Sequence, residues 1–235
     1  MDSPGTARTP DRIFLLSPAT CSGPRAELLT SRRGRSPLAV RLRTEGAPLG
    51  EVFTFLSGLY FRGKLAYARA FARPPATIPG EGVLVITPHA GLSPADAPVT
   101  AEDLRAAARV DIHVDNRRYR RPLDATARTV AERAGPACEV VLLGSVASPK
   151  YVDVLGAMFG DRLRFPIAFV GRGDMSRGGL MLRCVREHHE LEYVPVTSAA
   201  SRHGPRPPRL GAEVARRGTA SAAARLSTRA YPTSV

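Results

Sequence analysis

At 235 residues the chain is long enough for one full hydrophobic core and short for two. Its formal charge of +13 comes from 32 Arg and only 2 Lys, a skew that points to coding bias and weakens charge as an argument for nucleic acid. Three widely spaced cysteines, Cys21, Cys138 and Cys184, with no CxxC pair argue against a disulfide framework or a zinc site and read as free thiols in a reducing compartment.

Residues 1–11, rich in Pro, Gly, Ser and Thr, predict a disordered N-terminal tail. They lack the apolar core of a signal peptide, and no stretch approaches the roughly 18 apolar residues of a membrane span. The expectation is a cytoplasmic protein with no membrane contact.

RIFLL (12–16) opens a single α/β domain expected over 12–198. A continuous apolar run of this length suits a strand buried on both faces. It ends in SPATCSGP, which offers Ser17, Thr20, Cys21 and Ser22 ahead of a helix starting near Pro24. A thiol at a helix N-terminus can be activated as a nucleophile, whereas the plain reading has these residues capping the helix and packing beneath the loop.

Helical spacing of apolar residues runs from Pro48 to Ala72, with a break expected at Ser57-Gly58 because Gly is costly within a helix. GVLVITP (82–88) predicts the second strand. The following PHAGLSPADAP, read as a strand-end loop, brings His89 and Asp96 together as candidates for proton transfer, or serves as an ordinary turn.

Thr100 and Asp103 form a capping-box-like start for the next helix. In VDIHVDN the acidic residues Asp111 and Asp115 alternate with His113 as on one face of a strand. That spacing fits a solvated edge better than a ligand set, and no metal site is assigned. A helix over 124–134 leads to the strand CEVVLLGS (138–145).

The next loop, GSVASPKYVD, carries Ser145, Lys150 and Tyr151, and Ser148-Pro149 suits the start of a helix over 149–159. Lys150 is one of two lysines in an Arg-dominated chain, which hints at contact with a phosphate or carboxylate. RFPIAFVG (164–171) predicts another strand, followed by GRGDMSRGGL. Its glycine spacing matches neither the dinucleotide fingerprint nor a P-loop. Arg172 and Arg177 can bind an anion bidentately, or pair with Asp174 and hold the turn. A helix over 176–188 and a strand at ELEYVPV (190–196) complete the domain.

Residues 199–235 hold seven Arg, one Glu and almost no large apolar side chain, so a disordered tail is expected. Nucleic acid is the partner class such a tail can touch.

Strand alternating with helix predicts a three-layer Rossmann-like sandwich with a mostly parallel central sheet of about five strands. In such sheets ligands bind beyond the strand carboxyl ends. The candidate binding residues are therefore Ser17, Thr20, Tyr60, Ser145, Lys150, Tyr151, Arg172, Asp174 and Arg177. Asp96, His89 and Cys21 are the candidate catalytic residues, with the two tyrosines as stacking surfaces for a base.

FLSGLYFRGKLAYARAF followed by GVLVITPHAGLSPADAPV adds a family likeness over roughly residues 12–100. Ser17 and Cys21, Leu59-Tyr60-Phe61, Ala66-Tyr67-Ala68, His89, Gly91 and Leu92 resemble a pattern in bacterial proteins of unknown function related to the YaaA-like peroxide-stress and uracil-DNA-glycosylase-like α/β domains. Here Ala90 stands between His89 and Gly91. The resemblance implies a compact α/β domain associated with nucleobases, nucleic-acid modification or damage response. Together these readings lead to a protein that binds a nucleotide, nucleoside or modified base, with N-glycosidic or related hydrolytic or transfer chemistry and no cofactor. The rival expectation is a non-catalytic nucleic-acid-associated or interaction module.

Overall fold

The computed structural model describes residues 10–78, 80–146 and 149–197. The expected tails at 199–235 and over most of 1–11 lie outside the described residues, as does Ser148.

In chain order the elements are β1 (Arg12–Leu16), α1 (Pro24–Thr30), α2 (Pro37–Thr44), β2 (Ala47–Pro48), α3 (Leu49–Ser57), α4 (Leu59–Phe71), β3 (Val83–Thr87), β4 (Gly91–Pro94), β5 (Pro98–Val99), α5 (Ala101–Ala108), α6 (Arg117–Ala134), β6 (Glu139–Leu143), α7 (Pro149–Phe159), β7 (Leu163–Pro166), α8 (Asp174–Glu187) and β8 (Tyr193–Pro195). Six strands form one sheet in the order β4-β3-β1-β6-β7-β8, and β2 pairs with β5 in a separate ribbon. The inner four strands are parallel, and the edge strands β4 and β8 are antiparallel to their neighbours. The architecture is the three-layer α/β sandwich expected.

The strands sit where the apolar runs place them. Every residue of β1 and β3 is buried, because helices cover both faces. Helix α4 packs on β1 and β3, α6 packs beside α7, and α8 lies along α4. Gly58, at φ 63°, separates α3 from α4, and the Thr100–Asp103 capping box is complete.

Two close approaches fix α4 against α8. A Cβ on Gly63 would lie 2.7 Å from the Gly178 carbonyl oxygen, and one on Gly178 would lie 2.9 Å from that of Leu59. Both helices therefore need glycine where they touch.

Several boundaries differ from the sequence reading. PHAGLSPADAP is the β3–β4 hairpin rather than a single loop; Pro94 is tolerated because β4 is an edge. Helix α6 begins at Arg117, capped by Asn116, and carries Pro122 inside it. Residues 111–116 form a loop, so Asp111, His113 and Asp115 are not aligned as on a strand.

Candidate functional site

The chain leaves β1 towards β3 on one side and returns to β6 on the other. The carboxyl ends of β1 and β6 therefore flank the topological switch point, where open α/β sheets leave a crevice. A cleft of about 510 Å³ opens there, walled by the Pro18–Ser22 loop after β1, by Arg109–Ile112 after α5, and by Lys150 and Tyr151 at the start of α7. That volume suits a small organic ligand.

The β1 loop is rich in unused donors. Among the described residues the backbone amides of Ala19, Thr20, Cys21 and Ser22 make no hydrogen bond, and Thr20 and Ser22 are exposed. Lys150 extends over the Tyr151 ring, its Nζ 5.1 Å from the centroid, and Tyr119 donates to the Lys150 carbonyl at 2.9 Å, tying α6 to α7. Arg109 and Lys150 make the rim cationic, and among the described residues Asp111 is the one carboxylate lining the cleft.

Behind the Pro18 wall lies a buried polar pair. Lys64 on α4 is 1% exposed. Its Nζ donates to the Ser17 carbonyl at 2.6 Å and to Ser17 Oγ at 2.9 Å, and it lies 4.5 Å and 4.8 Å from the ring centroids of Tyr60 and Phe61. Burial lowers the ammonium pKa to about 7; Asp174 works against that shift and Arg177 adds to it. Gly144, at the end of β6, makes room for the pair, since a Cβ there would sit 2.9 Å from that of Ser17. The Tyr60 hydroxyl is buried with the Arg177 guanidinium as its polar neighbour, and burial raises its pKa, opposed by the charge and hydrogen bonding of Arg177.

Of the predicted residues, Thr20, Cys21, Lys150 and Tyr151 line the cleft, and Ser17 and Tyr60 lie beneath its wall. Ser145 follows Gly144 at the end of β6 and is half-buried. Cys21 does not have the activated thiol expected of it. The side chain is buried, which pushes its pKa up to about 12, and α1 has only seven residues with which to oppose that. Tyr60 presents no open ring for stacking, since its side chain is packed under Lys64.

His89 and Asp96 do not meet. Asp96 lies past the far end of the hairpin, its carboxylate beside Gly80 before β3 begins, whereas His89 follows the carboxyl end of β3. A β-hairpin turns the chain back on itself, so the residue that follows β4 lies at the end of the sheet opposite the turn that holds His89, which a loop reading misses. His89 instead shares an apolar cavity of about 200 Å³ with Asp103, and its Nδ1 is buried and unpaired. Hydrogen bonds from the Thr100 hydroxyl and amide hold the Asp103 pKa down, with a smaller contribution from His89.

The glycine-rich segment mainly holds itself. Arg177 donates to the Phe169 carbonyl from Nε at 3.2 Å and from Nη2 at 3.1 Å, over the Phe169 ring. Arg172 donates to Ala168 at 2.9 Å. Asp174 is 3.9 Å from Arg177 and largely exposed. None of the three lines the cleft.

Lys64 was missed by sequence reasoning, although it is the other lysine of the chain and carries the same signal as Lys150. Among the described residues no three His, Cys, Asp or Glu side chains gather as a metal site, and no helix is long and apolar enough to cross a membrane. Comparison with known proteins places nothing beside this fold: no protein family, curated protein or solved structure matches the chain.

Proposed function

We propose that the protein binds a small anionic ligand, of the nucleotide or nucleoside class, in the cleft at the carboxyl ends of β1 and β6. The observation that carries this reading is a run of four residues with unbonded amides, Ala19 to Ser22, lining the same cleft as Lys150 and Arg109. Consecutive free amides and a cation are what a phosphate or carboxylate recruits. Asp111 can accept hydrogen bonds from sugar hydroxyls or base amino groups, and Tyr151 supplies an aromatic wall. The likeness of residues 12–100 to nucleobase-associated α/β domains favours the same class. For N-glycosidic chemistry the carboxylate available to the cleft is Asp111, in place of Asp96.

A thermal-shift screen with nucleotides, nucleosides and free bases tests the reading. A ligand that binds only the folded state raises the midpoint with concentration. Phosphorylated compounds are expected to raise it and their dephosphorylated counterparts to do so less. No shift with any of the three classes overturns the proposal.

A further inference from the structure

The start of α6 gathers cations where a helix least favours them. RRYRR (117–121) places Arg117, Arg118, Arg120 and Arg121 there, all exposed. The positive end of the helix dipole disfavours them, and the pairs three and four positions apart repel one another. Arg120 is paired with Asp124 at 3.4 Å. Among the described residues the side chains of Arg117, Arg118 and Arg121 make no hydrogen bond or ion pair, whereas Arg41 and Arg69 reach glutamates at 2.9 Å and 2.6 Å. Coding bias accounts for the abundance of arginine in the chain, but not for three left unpaired within five positions. Two hydrogen bonds hold this part of α6 to residues that line the cleft. Asn116, the helix cap, donates from Nδ2 to the Asp111 carbonyl at 2.7 Å, and Tyr119 donates to the Lys150 carbonyl at 2.9 Å. The face carrying Tyr119, Leu123 and Ala127 is buried, so the exposed arginines stand on a helix anchored beside the cationic rim of Arg109 and Lys150.

We propose that the start of α6 extends the cleft into a phosphate-binding track, and that the nucleotide in the cleft is one unit of a single-stranded nucleic acid whose neighbouring phosphates lie on Arg117, Arg118 and Arg121. The proposal rests on the cleft being the ligand site and names the form of its ligand. A chain of phosphates supplies the repeated negative charge that relieves the repulsion among these arginines, and guanidinium groups bind phosphate bidentately. A cleft of about 510 Å³ suits one nucleotide and not a duplex, so the strand enters it unpaired. A lipid surface fits less well. A helix lying on a membrane carries large apolar residues beside its cations, and the exposed large apolar residues among those described, Leu28, Val40 and Met175, all lie outside α6.

The test follows the fluorescence anisotropy of a labelled oligothymidylate of about ten nucleotides on the full chain, with salt varied from about 50 to 200 mM. Two triple variants are compared. Arg117→Gln/Arg118→Gln/Arg121→Gln clears the α6 arginines, and Arg32→Gln/Arg33→Gln/Arg35→Gln removes the same charge from exposed positions between α1 and α2. Glutamine suits an exposed helix, so the α6 variant is expected to melt at or above the wild-type midpoint. The expected result is saturable, salt-sensitive binding by the wild type, weakened about tenfold or more in the α6 variant. The slope of log K against log salt should fall there by about two, roughly 0.7 for each lost contact, whereas the loop variant changes affinity less than about twofold. No binding by the wild type, or equal losses in the two variants, overturns the proposal. Binding to phosphatidylserine vesicles that needs the α6 arginines and is not displaced by excess oligonucleotide also overturns it, in favour of a membrane. Oligonucleotide binding that needs these arginines but is unchanged in Lys150→Ala would keep the arginine surface and reject the cleft as its neighbouring site. Mononucleotide binding without oligonucleotide binding would do the reverse, so the two failures are distinguishable.

Discussion

Lys64 and Ser17, 47 positions apart in sequence, meet at 2.9 Å in the layer beneath the switch point. This contact joins α4 to the end of the central strand and makes the protonation of one amine a property of the whole fold.

Stability is therefore expected to depend on pH through Lys64. Its pKa falls from 10.5 to about 7 on folding, so between those values the unfolded chain binds the extra proton and stability rises with pH. Lys64 should contribute about 2 kcal/mol of added stability between pH 7 and pH 9. Above about pH 9 buried thiols such as Cys21, whose pKa is raised, act in the opposite sense. Denaturant titrations across that window check the rise, and in Lys64→Met it should vanish.

Gly144→Ala is expected to destabilise the protein by about 1–3 kcal/mol, because its Cβ would meet that of Ser17 at 2.9 Å and Oγ at 3.2 Å. The backbone there is not in the left-handed region, so the cost is steric. Chemical denaturation gives the loss, and a companion Ser17→Gly change should recover part of it.

Gly178→Ala should cost about 2 kcal/mol or more, since neither partner in the α4–α8 contact can move a side chain aside: the colliding atoms are the Leu59 carbonyl and Tyr60 Cα. Thermal melts of Gly178→Ala beside Gly179→Ala provide the control. A Cβ on Gly179 meets nothing within 4 Å, so that variant should be neutral or slightly stabilising.

Tyr67→Phe tests the opposite end of the same layer. The Tyr67 hydroxyl accepts from the Leu191 amide at 2.7 Å and is hydrogen-bonded to Tyr193 at 2.6 Å, both buried. Removing it strands the Leu191 amide, while the Tyr193 hydroxyl keeps its bond to Glu190 at 3.1 Å, at a cost of about 1–3 kcal/mol. Urea unfolding measures the loss.

The buried strands were legible because burial on both faces writes β1, β3 and β6 as unbroken apolar runs. The helix break at Gly58 and the cap at Thr100 were legible because glycine and Thr/Asp act locally. What escaped was set by non-local pairing. Nothing within GLSP announces that it turns back along β3, so Asp96 was assigned to the wrong end of the sheet. Pro122 masked the first turns of α6, although Asn116 was available as its cap. Residues Thr20, Cys21, Lys150 and Tyr151 line one cleft because all follow parallel strands; Arg172 and Arg177 follow one too, but local carbonyls claim them. Lys64 lay within an apolar helical pattern, where the rarity of lysine in this chain was the one available signal.

The most direct measurement for the central reading is a calorimetric titration of nucleotides into the wild type and Lys150→Ala. Saturable binding in the wild type, weakened about tenfold or more by loss of the charged hydrogen-bond donor with the melting midpoint of the free protein unchanged, is the predicted result. Absence of binding to the wild type, or equal affinity in both proteins, would contradict an anion site in the cleft between β1 and β6.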